Sequence, residues 1–311
     1  MFQNAPRVAS VLGRALQSAE MSEIEHEIAS QPACWRRVLD VVARRGGALP
    51  AAGARVGAIG CGTSLFVSQA YAALREGAGA GETDAFAASE APFDRPWTDV
   101  IAISRSGTTT EVARYLARVR GPRRIAIVGV ETTPVADVAD ATISLAFADE
   151  RSVVQTRFAT TTLALLRAHV GDDLGPVIEQ AERALEADLP ADPAAHDHYV
   201  FLGTGWSVGL ANEAALKLRE AAQAWTESYP AMEFRHGPIS VARPGTLVWA
   251  IGDVDAGVLE DARATGATVV GGSLDPMAEL VLAQRTAVAL AKHRGLDPDR
   301  PHHLTRSVVL S

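Results

Sequence analysis

Two short segments combine glycine with small hydroxyl residues at a spacing that suits anion binding. The first, GCGTS, spans residues 60–64, and the second, SRSGTTT, spans residues 104–110. Each follows an apolar run and precedes a helix-like segment, and the first N–H groups of a helix are unpaired and favour negative charge. Glycine lets a ligand approach the backbone, and hydroxyls donate hydrogen bonds without adding charge. The segments therefore predict a phosphate site without a metal ion. Its hydroxyl donors would be Ser64, Ser104, Ser106 and Thr109.

Helix capping is the alternative function for these hydroxyls, because serine and threonine most often serve as caps. Two such segments in one half of the chain favour phosphate binding over capping alone. Neither segment matches a nucleotide motif: no Gly-Lys-Ser/Thr follows them, and GCGTS lacks the third glycine of the dinucleotide fingerprint. Nucleotide binding is therefore the weaker hypothesis.

A second group of chemically capable residues lies in EAALKLRE, residues 213–220. Glu213, Lys217 and Glu220 are spaced i, i+4 and i+7, which places them on one helix face. Such a face is often only an exposed ladder of ion pairs. Histidine side chains in general can both accept and donate a proton near neutral pH, so His236 in EFRHGP is a candidate acid–base group, although a histidine before Gly-Pro is otherwise a turn residue.

The hydrophobic pattern predicts the elements that position these residues. Short apolar runs, rich in β-branched residues, alternate with longer amphipathic segments, which suits strands buried on both faces of a parallel sheet with helical crossovers. The predicted fold class is α/β. A helical segment precedes the sheet, where Ser22 and Glu25 form a capping-box pattern and Pro32 breaks the helical spacing. The four strand runs are residues 56–60, 100–104, 125–130 and 141–147.

The second half of the chain repeats the first. Residues 199–220 echo residues 55–76 at an offset that aligns glycines and serines of the two segments, and residues 246–253 resemble residues 98–105. Two copies of one α/β domain, joined near the Pro- and Asp-rich segment 189–197, explain the echo. The aligned pairs are Gly60 and Gly203, Gly62 and Gly205, and Ser64 and Ser207. The expected units are a helical segment (1–45), a first domain that binds the ligand (46–188) and a second domain with the C-terminal tail (189–311).

Composition excludes several classes of protein. A length of 311 residues favours two domains, and a net charge of −8 without a basic run makes a nucleic-acid partner unexpected. The two cysteines, Cys34 and Cys61, have no zinc-type spacing, which predicts a reducing compartment and no structural metal. No stretch of 18 apolar residues occurs, and the first residues do not form a signal peptide. A cytoplasmic protein without a membrane partner is expected.

Six segments, in order, resemble the sugar isomerase (SIS) domain family: GCGTS, SRSGTT, ERSVVQTRFATT, EAALKLRE, EFRHGP and the terminal LDPDRPHHLTRSVVLS. The chain is most similar to the isomerase half of glutamine–fructose-6-phosphate aminotransferases and to short aminosugar-phosphate deaminase and isomerase relatives. The resemblance implies two tandem SIS domains, each a flavodoxin-like three-layer αβα fold. It also implies a bound sugar phosphate, no cofactor and a homodimer.

By this resemblance the two hydroxyl-rich turns hold the phosphate of the sugar. Arg105 stands where the family usually has glutamine, and its added positive charge would either strengthen anion binding or lie outward in solvent. The backbone of Val153 would contact the sugar. The residues that the resemblance assigns to the phosphate are Gly62, Thr63, Ser64, Ser104, Arg105, Ser106 and Thr109.

The resemblance also assigns the catalytic roles. Aldose–ketose interconversion moves a proton between adjacent carbons, so it needs a base that takes the proton and returns it. Glu220 matches the glutamate that the family uses for this step, and Lys217 lies on the same helix. His236 matches the histidine that opens the sugar ring and reaches into the neighbouring subunit's site.

Two departures from the family's pattern narrow the expected function. The chain begins MFQN and leaves no room for a glutamine-hydrolysing domain, so we expect no ammonia from glutamine. Arg306 aligns with the family's imine-forming lysine, and a guanidinium is too poor a nucleophile for that reaction. Thr305 and Arg306 are instead expected to hold phosphate or hydroxyl groups.

The expected function is therefore that of an isomerising aminosugar-6-phosphate deaminase or an aldose–ketose phosphosugar isomerase acting on an open-chain sugar. A deaminase needs no imine-forming lysine, because its substrate supplies the amine. The alternatives are a fructosamine-6-phosphate deglycase and a non-catalytic sensor of sugar phosphates. Glu220 and His236 argue against the sensor, since a sensor has no need of a proton shuttle.

Overall fold

Two parallel sheets organise residues 21–310, the part of the chain that the structure, a computed structural model, describes. The first sheet has the order β2-β1-β3-β4-β5, which is that of flavodoxin-like folds. Its strands are β1 (Val56–Gly60), β2 (Thr83–Ala87), β3 (Asp99–Ser104), β4 (Arg123–Val128) and β5 (Ala141–Ser144). The α/β class with parallel strands is confirmed.

The second sheet repeats the first four positions of this order, as β7-β6-β8-β9. Its strands are β6 (His198–Gly203), β7 (Trp225–Pro230), β8 (Thr246–Ile251) and β9 (Thr268–Gly271). Three strands were not predicted, namely β2, β7 and β9, and all three lie at sheet edges. An edge strand is only partly covered, so it lacks the continuous apolar run that identifies a central strand.

Ten helices connect and cover the strands among the described residues. The first two are α1 (Glu23–Ala29) and α2 (Gln31–Arg45). The predicted capping box is present, with Ser22 N donating to Glu25 Oε2 at 2.9 Å, and Pro32 lies in the first turn of α2. The others are α3 (Thr63–Gly77), α4 (Thr110–Arg118), α5 (Pro134–Asp137), α6 (Arg157–His169), α7 (Gly175–Glu186), α8 (Ser207–Ala222), α9 (Ala256–Ala264) and α10 (Pro276–His293).

The predictions for residues 1–20, which are the start of the helical segment 1–45 and the lack of a signal peptide, lie outside the described residues. Within residues 21–310, no helix combines the length and the apolar composition that a membrane crossing requires.

The central strands are buried on both faces. In β3, Ile101 and Ile103 face one hydrophobic cluster, whereas Val100 and Ala102 face another. The cluster that contains Ile101 also contains Phe201 of β6, so one core lies between the two sheets. This arrangement explains why the strand sequences are apolar throughout rather than alternating.

The echo between the two halves is reproduced in backbone geometry. Gly62 and Gly205 have φ angles of +55° and +57°, a region that favours glycine. A Cβ on Gly60 would lie 2.6 Å from the backbone of Ser64, and a Cβ on Gly203 would lie 2.5 Å from that of Ser207. The same close turn therefore follows β1 and β6, while the division into domains at 46–188 and 189–311 stays a prediction.

Close packing of α3 against α8 brings the two halves together at the site. Gly209 of α8 makes this approach possible, because a Cβ there would lie 2.5 Å from Phe66 O and 2.8 Å from Ala70 N. The contact places the start of α3 beside the middle of α8. Residues of both halves can therefore share one site.

Candidate functional site

A cavity of about 230 Å³ lies at the carboxyl ends of β1 and β3, where ligands bind in open parallel sheets. Both hydroxyl-rich turns, the 153–155 loop, α8 and the C-terminal tail contribute to its wall. Three larger hollows, of about 410, 520 and 380 Å³, lie elsewhere on the surface and contain none of the predicted site residues. The lining residues are Cys61, Gly62, Thr63, Arg105, Thr109, Val153, Gln155, Glu220, Leu304, Thr305, Arg306, Ser307 and Val308.

The turn after β1 connects the cavity with α8. Gly62 immediately precedes α3, so the first N–H groups of that helix lie beside the cavity. Thr63 and Ser64 are buried. Thr63 Oγ1 donates to Glu213 Oε1 at 3.2 Å and accepts from Lys217 Nζ at 3.0 Å. The predicted binding residue Thr63 therefore also contacts two ionisable groups of the second half.

The turn after β3 orients its hydroxyl groups through its own backbone. Ser104 Oγ accepts from Gly107 N at 3.1 Å, and Ser106 Oγ accepts from Thr108 N at 3.2 Å. Ser104 Oγ also lies 3.4 Å from Thr109 Oγ1. These bonds fix the positions of both serine hydroxyls, which are buried behind Arg105 and Thr109, the two residues of this turn that line the cavity. Neither Ser104 nor Ser106, nor Ser64 of the other turn, is among the lining residues.

Arg105 lines the cavity and does not lie outward in solvent. Its side chain is buried, with Nη1 donating to Ser152 O at 2.9 Å and to Val153 O at 3.3 Å, and Nη2 donating to Arg306 O at 2.9 Å. Glu150 Oε2 lies 3.8 Å from Nη1. The arginine therefore joins the loop that carries Val153 to the C-terminal tail. The expectation of an outward side chain is wrong, and the role of Arg105 in anion binding stays a prediction.

The guanidinium of Arg306 faces the same loop. It donates to Asp149 Oδ1 and to the backbone carbonyl of Glu150. In this conformation the guanidinium forms an ion pair with Asp149, and Arg306 lines the cavity as part of the C-terminal tail.

The tail follows the turn after β3. Thr110 N donates to Val308 O at 3.2 Å, and the hydroxyls of Thr108 and Ser307 lie 2.9 Å apart. Thr305 is exposed and donates from Oγ1 to Ser307 O at 2.9 Å. The tail thus covers the start of α4 and forms one wall of the cavity.

Glu213, Lys217 and Glu220 form a buried network rather than an exposed ladder. Lys217 Nζ lies 3.3 Å from Glu213 Oε1, 2.5 Å from Glu220 Oε2 and 3.0 Å from Thr63 Oγ1. Burial lowers the pKa of Lys217, but the two carboxylates outweigh it and the net shift is upward. Lys217 is therefore an ammonium group, and Glu220 is the member of the network that faces the cavity.

His236 is exposed at the end of a 3₁₀ helix, Ala231–His236, and is not among the residues that line the cavity. Within its own chain, His236 therefore does not reach the cavity. The role in a neighbouring subunit's site, which the resemblance implies, stays a prediction.

Sequence reasoning missed Glu27, which fixes the loop beside the cavity from α1. Its Oε1 accepts from Arg151 N at 2.6 Å and from Ser152 N at 3.3 Å, and the side chain is buried. A signal was available in the sequence: Glu27 directly precedes Ile28 and lies three residues after Ile24, so it borders the apolar face of the helix. A carboxylate there requires a partner.

Two further residues of the loop were missed. Buried Glu150 accepts from Thr156 N and Arg157 N, each at 2.6 Å, and Gln155 lines the cavity. No periodic pattern marks these residues, because their function depends on the path of an irregular loop.

Two buried carboxyl groups predict a pH-dependent stability. Burial raises the pKa of Glu27 to about 7, with Glu150 adding to the effect, and burial raises the pKa of Glu213 to about 7 against the opposing charge of Lys217. The folded state therefore holds more protons than the unfolded state between about pH 4.5 and pH 7, so the free energy of unfolding falls as the pH rises through this range. We expect a loss on the order of 1–3 kcal/mol per group.

Urea denaturation between pH 5 and pH 8 measures this slope. Glu27→Gln and Glu213→Gln should each make it shallower, whereas Glu260→Gln, at an exposed position on α9, should leave it unchanged. An equally steep slope in both buried variants would contradict the assignment.

The chain is similar to known proteins in both sequence and structure. No established family profile matches the chain. The sequence is 29% identical over 265 residues to glutamine–fructose-6-phosphate aminotransferase [isomerizing] of Thermococcus kodakarensis, covering 68% of this chain and 44% of that protein. The solved structure of glucosamine-6-phosphate deaminase from Thermotoga maritima superposes with a TM-score of 0.77 at 25% identity, covering 93% of this chain and 100% of that chain. The chain is homologous to the isomerase domain of the aminotransferase and to phosphosugar isomerases.

This homology covers only part of the curated proteins. The chain spans about half the length of the aminotransferases that it matches, 44% and 54% in two of them. Tagatose-6-phosphate ketose/aldose isomerase from Escherichia coli shares the fold, with a TM-score of 0.76 at 21% identity over 89% of this chain and 95% of that chain. The homologous part is therefore the isomerase part.

Proposed function

We propose that the protein is a phosphosugar isomerase and that its preferred reaction is the isomerising deamination of an aminosugar 6-phosphate. One observation carries the proposal: the carboxylate of Glu220 lines the same cavity as Gly62, Thr63 and Thr109 of the two hydroxyl-rich turns. The proposed proton-transfer group and the proposed anion-binding turns thus line one hollow of about 230 Å³. The homologues include a deaminase and isomerases of sugar phosphates.

In the proposed mechanism, the starts of α3 and α4 and the nearby serine and threonine hydroxyls bind the phosphate. Glu220 takes the proton from carbon 2 of the open-chain sugar and returns it to carbon 1. The buried ammonium of Lys217, 2.5 Å from Glu220 Oε2, holds the carboxylate in place. No imine with the protein is required, which agrees with an arginine at position 306.

For an aminosugar, this transfer, together with the loss of a proton from the amine and the gain of a proton by the carbon 1 oxygen, gives an imine at carbon 2 and a hydroxyl group at carbon 1. Water then adds to carbon 2, ammonia leaves, and the ketose 6-phosphate remains. The atoms balance as aminosugar phosphate plus water giving ketose phosphate plus ammonia. With a hydroxyl at carbon 2, the same transfer is a plain aldose–ketose isomerisation.

The proposed protein is a homodimer, and the two halves of each chain have different roles in it. Residues 46–188 would bind the phosphate and residues 189–311 would supply Glu220 and Lys217. His236 would act in the partner's site, which its exposure at the protein surface permits.

Product analysis tests the proposed function. Incubation with glucosamine 6-phosphate should release ammonia and form fructose 6-phosphate in equal amounts, and the same ligand should raise the melting temperature of the protein. Fructose 6-phosphate formed from glucose 6-phosphate alone would indicate the plain isomerase. Stabilisation without any product would indicate a sensor, and a melting temperature unchanged by every sugar phosphate would exclude the site.

A further inference from the structure

The loop from Asp149 to Arg157 is fixed by hydrogen bonds at nearly every residue. Donors and acceptors come from α1, from the turn after β3 and from the tail segment near Asp299. Of the residues of this loop, Val153 and Gln155 line the cavity. The bonds that fix the loop are those of Glu27 to Arg151 N and Ser152 N, Arg105 to Ser152 O and Val153 O, Val153 N to Asp299 O, and Glu150 to Thr156 N and Arg157 N.

Several side-chain atoms around this loop are buried without a hydrogen-bond partner, but Gln155 is the one cavity-lining residue among them, within residues 21–310, whose side chain makes no hydrogen bond at all. The other atoms are Glu27 Oε2, Arg105 Nε, Glu150 Oε2, Ser152 Oγ and Arg157 Nε. The Oε1 atom of Gln155 is shielded from solvent. A primary amide has two donor hydrogens and an acceptor oxygen, and a half-turn about its last bond exchanges the two ends. Leaving such a group unpaired in a cavity wall is unfavourable unless a ligand supplies the partner.

The chemistry of the cavity limits what this partner can be. The carboxylate of Glu220 is the stronger acceptor for an ammonium group, and the turns after β1 and β3 are the better site for a phosphate. Gln155 is neutral, so it suits a neutral ligand group that both donates and accepts. A sugar hydroxyl has these properties.

We propose that Gln155 is a specificity-determining residue that hydrogen-bonds a hydroxyl of the bound sugar chain. This inference rests on the proposed function and deepens it, since it assigns recognition of the polyhydroxy chain to a residue separate from the phosphate turns and from Glu220. The rigid loop holds the amide in position before the ligand arrives. Its preference is for a hydroxyl-bearing chain over a bare phosphate.

The test measures dissociation constants calorimetrically for inorganic phosphate, glucose 6-phosphate, fructose 6-phosphate and glucosamine 6-phosphate. Gln155→Met has a similar length without hydrogen-bonding groups, and it should weaken each sugar phosphate about tenfold. Its affinity for inorganic phosphate should change less than about twofold, because the phosphate turns are intact. Gln155→Glu keeps the shape but adds a negative charge, so the affinity ratio of glucosamine 6-phosphate to glucose 6-phosphate should rise about tenfold.

Unchanged sugar affinity in a folded Gln155→Met protein would overturn the inference while leaving the proposed function intact. If circular dichroism shows that Gln155→Met does not fold, the Gln155→Glu ratio decides, and an unchanged ratio is the negative result. Failure of the wild-type protein to bind any of the sugar phosphates is a different outcome. It would remove the proposed function, and this inference with it.

Discussion

Glu220→Gln should lower kcat for the aldose–ketose step by about 10²–10⁴-fold, with the dissociation constant for the sugar phosphate nearly unchanged. Glutamine has the same size but cannot take a proton from carbon, so the loss falls on the chemical step. The bond from Lys217 can be kept by the amide oxygen, which preserves the position of the side chain. Turnover and the exchange of the carbon 2 hydrogen with deuterated water, followed by NMR, measure the effect.

Glu260→Gln provides the matched control, because Glu260 is an exposed carboxylate of the same half. Its kcat should equal that of the wild-type protein. Hydrogen exchange at the wild-type rate in Glu220→Gln would show that a different group is the base.

Arg105→Leu should lower the free energy of unfolding by about 3–5 kcal/mol. The substitution leaves the carbonyls of Ser152, Val153 and Arg306 without their donor, and it removes the positive charge 3.8 Å from buried Glu150. Sugar-phosphate affinity should fall as well, since the loop and the tail lose their connection. Urea denaturation and calorimetry measure the two effects.

Two other substitutions make this test specific. Arg263→Leu, at an exposed position on α9, should change the free energy of unfolding by less than about 0.5 kcal/mol. Arg105→Lys retains the charge, but its ammonium group lacks the planar set of donors with which arginine reaches three carbonyls. The free energy of unfolding of Arg105→Lys should therefore lie between that of Arg105→Leu and that of the wild type. Wild-type stability in Arg105→Leu would contradict the structural role.

Local patterns predicted the central strands and the two hydroxyl-rich turns, because burial on both faces and close turns leave a signature in adjacent residues. The same reasoning missed the edge strands β2, β7 and β9, whose side chains are only partly covered. The spacing of Glu213, Lys217 and Glu220 fixed their common face. It left open whether that face was exposed, since the packing of α3 on α8 decides this.

Arg105 shows most clearly what a sequence cannot supply. Its partners are 47 and 201 positions away along the chain, in an irregular loop and in the tail. Both sequence-based expectations for it assumed that a charge in a phosphate turn must face either the anion or water. The third possibility, a guanidinium satisfied by backbone carbonyls, depends on contacts that no local pattern encodes.

The walls of the cavity come from segments that span residues 61 to 308, and this spread has a consequence for biosynthesis. A nascent polypeptide that has emerged as far as residue 188 contains both phosphate turns but neither α8 nor the tail. A metabolite that needs all of these walls stabilises only the finished molecule, by mass action. The emerging N-terminal half must therefore reach its fold from its own sheet and core, without help from any ligand of the whole cavity.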